Sequence, residues 1–159
     1  MKHLFIARHG RYNICDDSLN NSGLEQMNLL AENIRGILNG DSAYVISSTA
    51  KRAMQSSMIL VNRLGLPEPE GIPYIWSGSD SPAESYYWDL DTEKLMAIVD
   101  ERKDKADGLI MMTHLEVAEA FPTYFLNKRL GIDEYIEEIA KGQAVYFDLE
   151  KKSYEILPR

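Results

Sequence analysis

Apolar residues fall into two kinds of pattern along this chain. Leu4, Phe5, Ile6 and Ala7 form a short continuous run, as do Ala43, Tyr44, Val45 and Ile46, and again Leu109, Ile110, Met111 and Met112. A continuous run of this length reads as a strand buried on both faces, the pattern of a central parallel strand. Between the runs, apolar residues recur three and four apart, the repeat of a helix that buries one side. Leu24, Met27, Ala31, Ile34 and Leu38 predict the first such helix, with Ser22 and Glu25 placed as a capping box and Gly40 at its end. Ala53, Met54, Met58, Val61 and Leu64 predict the second, capped by Ser48 or Thr49 and stopped at Gly65 and Pro67.

Residues 72–76 read as a further strand, and residues 77–90 as a polar loop long enough to be functional or mobile. Asp91 caps a helix that turns Leu95, Ile98 and Val99 inward. After the strand at 109–112, a helix carries Val117, Ala120, Phe121, Tyr124 and Phe125, and Pro122 should kink it or shift its start. Residues 134–141 read as a short helix. Residues 144–149 and 153–157 flank Glu150, Lys151 and Lys152 and read as a terminal hairpin. Strands alternating with helices predict an α/β fold. The expected form is a three-layer α/β/α sandwich with a mostly parallel central sheet and a C-terminal hairpin, in one domain over residues 1–159.

Right-handed crossovers return parallel strands in one direction, so the first, second and fourth strands end on one edge. That edge is where ligands bind in open α/β sheets. The first strand delivers Arg8, His9 and Gly10 there, the second delivers Ser47 and Ser48, and the fourth delivers His114. Arg52 follows in the first turn of the second helix, where a cation opposes the macrodipole at a cost of about 0.3–1 kcal/mol. A bound anion shared with the exposed helix N–H groups would resolve that conflict. Two arginines can clasp a phosphoryl group by bidentate hydrogen bonds. A neutral imidazole beside them can act as nucleophile, and a second can donate to oxygens as charge builds. Carboxylates of the long loop, Asp80 and Glu84 among them, are candidates for the proton donor to the leaving oxygen.

Any one of these residues has an ordinary structural explanation. A single strand-end histidine is usually hydrogen-bonded scaffold, Arg52 alone can pair with an acid in solvent, and Ser47 and Ser48 suffice as caps. His3 begins a strand and has no partner identifiable from the sequence. The conjunction of Arg8, His9, Arg52 and His114 is what points to chemistry.

Composition narrows the choice of partner. The formal net charge is -8 and the sequence pI about 4.9. A nucleic-acid backbone would be repelled by that balance, although a small anion can still enter a locally positive pocket. Cys15 is the only cysteine, which leaves no internal disulfide and no cysteine-based zinc site and suits a reducing compartment. The apolar run at residues 4–7 is too short for a signal peptide or a membrane helix. A cytoplasmic location is expected, without membrane association.

Four stretches, in order, resemble the histidine phosphatase superfamily of the phosphoglycerate mutase-like branch. Arg8-His9-Gly10 looks like its R-H-G signature, and residues 19–26, Leu19 to Gln26, look like its L-T-x-x-G-x-x-Q helix start. Residues 48–56, Ser48 to Ser56, look like S-x-x-x-R-A-x-Q-T, and Thr113-His114 after an apolar strand looks like its second histidine. The likeness covers nearly the whole chain, and its small size is most similar to the SixA-type phosphohistidine phosphatases. It implies that His9 is the phosphorylated nucleophile, that Arg8, Arg52 and His114 complete the phosphate pocket, and that neither metal nor cofactor is required.

The sequence departs from the family pattern in places. Ser77 stands where the family's acidic residue usually falls, with Asp80 or Glu84 as substitutes. Asn20 stands where threonine is usual, and Leu115 where glycine often follows the second histidine. Arg11 and Ser48 are candidate substrate-binding residues. The expected activity is hydrolysis of a phosphomonoester or phosphohistidine, on a phosphorylated small molecule or a phosphoprotein. The alternative is a non-catalytic phosphate- or phosphopeptide-binding module, and a phosphomutase ranks third.

Overall fold

A computed structural model of the chain describes residues 1–76 and 90–158. The described elements run β1 (His3–Arg8), α1 (Asn21–Leu38), β2 (Ala43–Ser47), α2 (Lys51–Leu64), β3 (Glu70–Gly71), α3 (Thr92–Asp100), β4 (Gly108–Thr113), α4 (Leu115–Phe125), β5 (Ala144–Asp148) and β6 (Ser153–Leu157). They build one six-stranded sheet in the order β3-β2-β4-β1-β5-β6. β1 and β2 flank β4 in parallel, β3 is parallel to β2, and β5 and β6 close the edge as an antiparallel hairpin. The fold is therefore α/β with a mostly parallel sheet and a C-terminal hairpin, as the hydrophobic pattern predicts.

The continuous apolar runs are explained by burial on both faces. Along β1, Leu4 and Ile6 join one cluster with Leu95, Val99, Val117, Phe121 and Phe125, the inward side chains of α3 and α4. Phe5 and Ala7 point the other way, into Met27, Leu30 and Ile34 of α1 and Ala53 and Leu60 of α2. One alternating strand thus serves two cores, each closed by its own helix pair.

Several local expectations are corrected. Residues 72–76 do not continue as a strand. β3 stops after two residues, the Ile72 N–H makes a last bond to the Ser47 carbonyl at 2.8 Å, and Pro73 opens a 3₁₀ turn, Pro73–Ile75. Proline has no N–H for the ladder and suits the first position of a helical turn. The stub is anchored instead by Glu70, whose carboxylate accepts from Arg102 Nε at 2.9 Å and Nη2 at 2.6 Å. Arg102, then Tyr44, holds this carboxyl at about 2, well below the ordinary range.

Residues 134–141 are not helical either. A π-type turn, Leu126–Leu130, follows α4 and ends at Gly131, and the next stretch is irregular. Side chains pin it: Thr123 Oγ1 accepts from the Ile136 N–H at 3.0 Å, and Asn127 Nδ2 donates to the Glu134 carbonyl at 3.0 Å. Buried Ile136 and Ile139, three apart, imitate a helical repeat. α4 runs through Pro122 from its start at Leu115, with Ala118 buried rather than Ala120. Leu24, expected inside, is exposed.

Candidate active site

The site lies at the carboxyl edge of β1, β2 and β4, where the chain must change direction without moving far. The His9 N–H still bonds to the Thr113 carbonyl at 3.1 Å, so the sheet holds the backbone one residue beyond β1. The Gly10 N–H then donates to Ser56 Oγ at 3.1 Å, which itself donates to the Arg52 carbonyl on α2. On the other side Gly10 meets Gly23 of α1. A Cβ on Gly10 would lie 2.7 Å from the Gly23 carbonyl oxygen, and one on Gly23 would lie 2.0 Å from the Arg11 carbonyl oxygen. Only two glycines allow the strand end and the helix to touch by backbone. That contact also sets the helix start. The N-cap is Asn20, whose Oδ1 accepts from the Gly23 N–H at 2.9 Å, rather than Ser22. Asparagine is among the residues best suited to an N-cap.

His9 and His114 face each other, ring centroids 4.8 Å apart, each 3% exposed. Arg52 lies against both. Its Nε donates to His9 Nε2 at 3.1 Å, its Nη2 to His114 Nδ1 at 3.1 Å, and its Nη1 to the carboxylate of Asp17. A guanidinium can only donate, so His9 Nε2 and His114 Nδ1 carry lone pairs. The opposite nitrogens then hold the protons: His9 Nδ1 donates to the Gly10 carbonyl at 2.8 Å, and His114 Nε2 donates to Ser48 Oγ at 2.7 Å. Both imidazoles are neutral. Burial lowers His9 to about 4, with Arg52, Lys141 and Arg8 adding to the shift against the Gly10 hydrogen bond. Burial, then His9, Arg52 and Arg8, lowers His114 to about 2.

Arg8 is held from the other side. Its Nη1 donates to Glu138 Oε1 and to the Ile139 carbonyl, both at 2.9 Å, while its buried Nε has no hydrogen-bond partner among the described residues. A buried donor that makes no bond within the protein is free to donate to an anion. The walls are aromatic. Tyr12 lies 4.6 Å from Arg52 Cζ and edge-on to His9, and Trp76 stacks on His114 at 5.6 Å. Lys141 reaches the same Tyr12 ring, its Nζ 4.7 Å from the centroid.

The structure thus brings together Arg8, His9, Arg52 and His114, as expected from the strand ends. Ser48 is fully buried and belongs to the group through His114. It does not cap α2, whose N-cap Ala50 has no side-chain bond. Arg11 is exposed at the mouth. Ser77, Asp80 and Glu84, the acid candidates, lie outside the described residues. Sequence reasoning missed Tyr12, Asp17, Trp76, Glu138 and Lys141. Tyr12 and Asp17 sit in the loop just after the signature and could have been suspected from proximity alone. Glu138 and Lys141 arrive from the segment before β5, an antiparallel strand whose beginning, not its end, reaches this edge.

His3, at the other end of β1, has two partners the sequence did not indicate. Its Nδ1 pairs with Tyr146 Oη at 2.9 Å and its Nε2 with Asp41 Oδ2 at 3.0 Å. Among the described residues no group of three or more histidine, cysteine or acidic side chains is placed to hold a metal ion. No helix among them is long and apolar enough to cross a membrane.

No protein-family model and no curated protein sequence matches this chain. Solved structures do. The protein histidine phosphatase SixA bound to tungstate superposes with a TM-score of 0.72 at 16% identity, over 97% of this chain and 93% of that one. A candidate SixA phosphohistidine phosphatase from Agrobacterium tumefaciens gives 0.68 at 13% identity, over 99% of both. Mycobacterial glucosyl-3-phosphoglycerate phosphatase gives 0.66 at 15% identity, over 100% of this chain and 99% of that one.

Proposed function

From a chain with the histidine phosphatase fold, we propose a metal-independent phosphatase that hydrolyses a phosphomonoester or phosphohistidine through a phosphohistidine intermediate on His9. The observation that carries this reading is the tautomer of His9: neutral, its Nδ1–H tied to the Gly10 carbonyl, its Nε2 lone pair turned toward Arg52 and His114. Likeness in fold to SixA bound to tungstate, an anion of phosphate-like geometry, supports it.

In the first step Nε2 of His9 attacks phosphorus, and the bond from phosphorus to the leaving oxygen or nitrogen breaks. Arg52 and the unpaired Nε of Arg8 are the donors available to the phosphoryl oxygens as charge builds, and His114, its Nε2–H held by Ser48 Oγ, turns Nδ1 to Arg52 and orients that guanidinium. The Gly10 carbonyl accepts from Nδ1–H and stabilises the positive charge that grows on the ring, as a backbone acceptor does for an imidazolium. The leaving group takes a proton from a general acid. Glu84 is our candidate, with Asp80 as its alternative. Water then attacks the phosphorus and gives a proton to the carboxylate that the general acid became, the bond from phosphorus to Nε2 breaks, inorganic phosphate leaves, and His9 returns to its neutral form. The whole chain serves as one domain, acting in the cytoplasm on a phosphorylated small molecule or phosphoprotein.

The test is a single-turnover experiment with a labelled aryl phosphate, without added metal. An acid-labile, base-stable phosphoenzyme is expected, absent in His9→Ala, together with steady-state turnover lost by about a thousandfold or more in that variant. Phosphate binding that depends on Arg8 and Arg52, with no turnover at all, would instead identify a binding module. Full hydrolysis by His9→Ala would overturn both the intermediate and the assignment.

A further inference from the structure

Two cations at the mouth of the pocket have no carboxylate partner among the described residues. Glu138 pairs with Arg8 and Asp17 with Arg52. Among the described residues, Lys141 and Arg11 pair with no acid. Lys141 is nevertheless placed firmly. The next residue, Gly142, donates its N–H to the carbonyls of both Arg8 and His9, at 3.1 and 3.0 Å. Gln143 accepts from the Arg8 N–H at 2.8 Å and closes a turn back to Ala140, backbone to backbone at 3.1 Å and through its side chain at 2.8 Å. The Gly142 backbone has φ +81 and leaves no room for a Cβ, which would fall 2.6 Å from Gln26. The turn that carries Lys141 is therefore bolted to the strand end that carries the nucleophile. Its ammonium shares the Tyr12 ring with Arg52, each under 5 Å from the centroid, so the two charges are no more than about 9 Å apart. Burial and the neighbouring Arg8, Arg52 and Arg11 all disfavour its charge. A protein with net charge -8 has acids to spare for such a position, and none of those among the described residues takes it.

We infer that Lys141, together with Arg11, forms a second anion subsite at the mouth of the phosphoryl pocket. The substrate then carries a carboxylate or a second phosphate beyond the phosphoryl group that is transferred. The spacing is one that a benzene ring with an anion at each end can bridge. This subsite rests on the phosphatase reading only for where the first anion sits.

The test uses non-hydrolysable ligands, so that it stands apart from turnover. Phenylphosphonate, 4-carboxyphenylphosphonate and benzene-1,4-bisphosphonate are titrated calorimetrically into the full-length protein, Lys141→Met and Arg11→Gln. The wild-type protein is expected to prefer a ligand with a second anion by about tenfold or more, the scale of one hydrogen-bonded charge contact. Lys141→Met should cut that preference to below about threefold, and exposed Arg11→Gln should reduce it in part. The ligand with the larger preference tells a carboxylate subsite from a phosphate one. Equal affinity for all three ligands overturns the inference, as does an equal loss for all three in Lys141→Met. A preference that depends on Lys141 in a protein without His9-dependent turnover would leave the subsite standing and overturn the phosphatase reading alone. Should Lys141→Met not fold, Lys141→Gln and the Arg11 variant carry the same comparison.

Discussion

Arg52 Nε donates to His9 Nε2 at 3.1 Å, and through that one contact a permanent cation dictates which nitrogen of the imidazole keeps its lone pair. The contact also opposes protonation. His9 is expected to titrate by NMR near pH 4, with His114 still neutral there.

A stability trend follows from the same shift. A free imidazole has a pKa of about 6.5, so below that pH the unfolded chain takes up protons that folded His9 and His114 refuse. The stabilisation is complete above pH 6.5 and is lost as pH falls toward the folded values, by about 3 kcal/mol at His9 between pH 6.5 and pH 4. Chemical denaturation at a series of pH values should show this loss, and Arg52→Gln should make the His9 share smaller.

Asp17 gives a second expectation. It is a non-glycine residue at φ +59 whose carboxylate pairs with Arg52 Nη1. A carboxylate there competes with an entering phosphate for the same donor. Asp17→Asn keeps a residue that tolerates this backbone and removes the charge. Inorganic phosphate should inhibit the variant about fivefold more strongly, the scale of one partly exposed ion pair.

Ser48 gives a third. Its Oγ accepts the His114 Nε2–H at 2.7 Å and also the Ala50 N–H at 3.2 Å, in a fully buried position. Ser48→Ala leaves the imidazole N–H unpaired, at a cost of about 1–3 kcal/mol, and frees the ring to turn. The expected signature is a drop in kcat larger than the rise in KM. Ser48→Thr should restore part of it.

The glycines of α1 give a fourth. Gly23→Ala puts a methyl group 2.0 Å from the Arg11 carbonyl, so it should lower Tm sharply and displace Gly10 and His9 with it, reducing activity. Gly36, exposed in the same helix with nothing within 4 Å of its missing Cβ, is the control. Gly36→Ala should raise stability by about 1 kcal/mol and leave turnover alone.

β1, β2 and β4 were legible because a strand buried on both faces must be apolar throughout, and their shared direction then placed Arg8, His9, Arg52 and His114 on one edge. Local spacing did not show that Pro73 ends a sheet contact. Nor did it show that Ile136 and Ile139 sit three apart in an irregular stretch held by Thr123 and Asn127. Capping chemistry was read two residues late because Ser22 and Glu25 fit a local rule, whereas the Gly10–Gly23 contact, which is long-range, selects Asn20. Lys141 was invisible for a topological reason: the rule about strand ends holds for parallel strands, and β5 is antiparallel.

That reversed strand has a practical consequence. The β5–β6 turn at Glu150, Lys151 and Lys152 belongs to the rim opposite the pocket, on the side of His3, while the last residue of β6, Leu157, pairs with Ala144 beside the nucleophile's strand end. A fluorophore, affinity handle or surface tether inserted at 150–152 would therefore leave the pocket open to large substrates. The same attachment just after Leu157 would stand on the rim that carries the pocket.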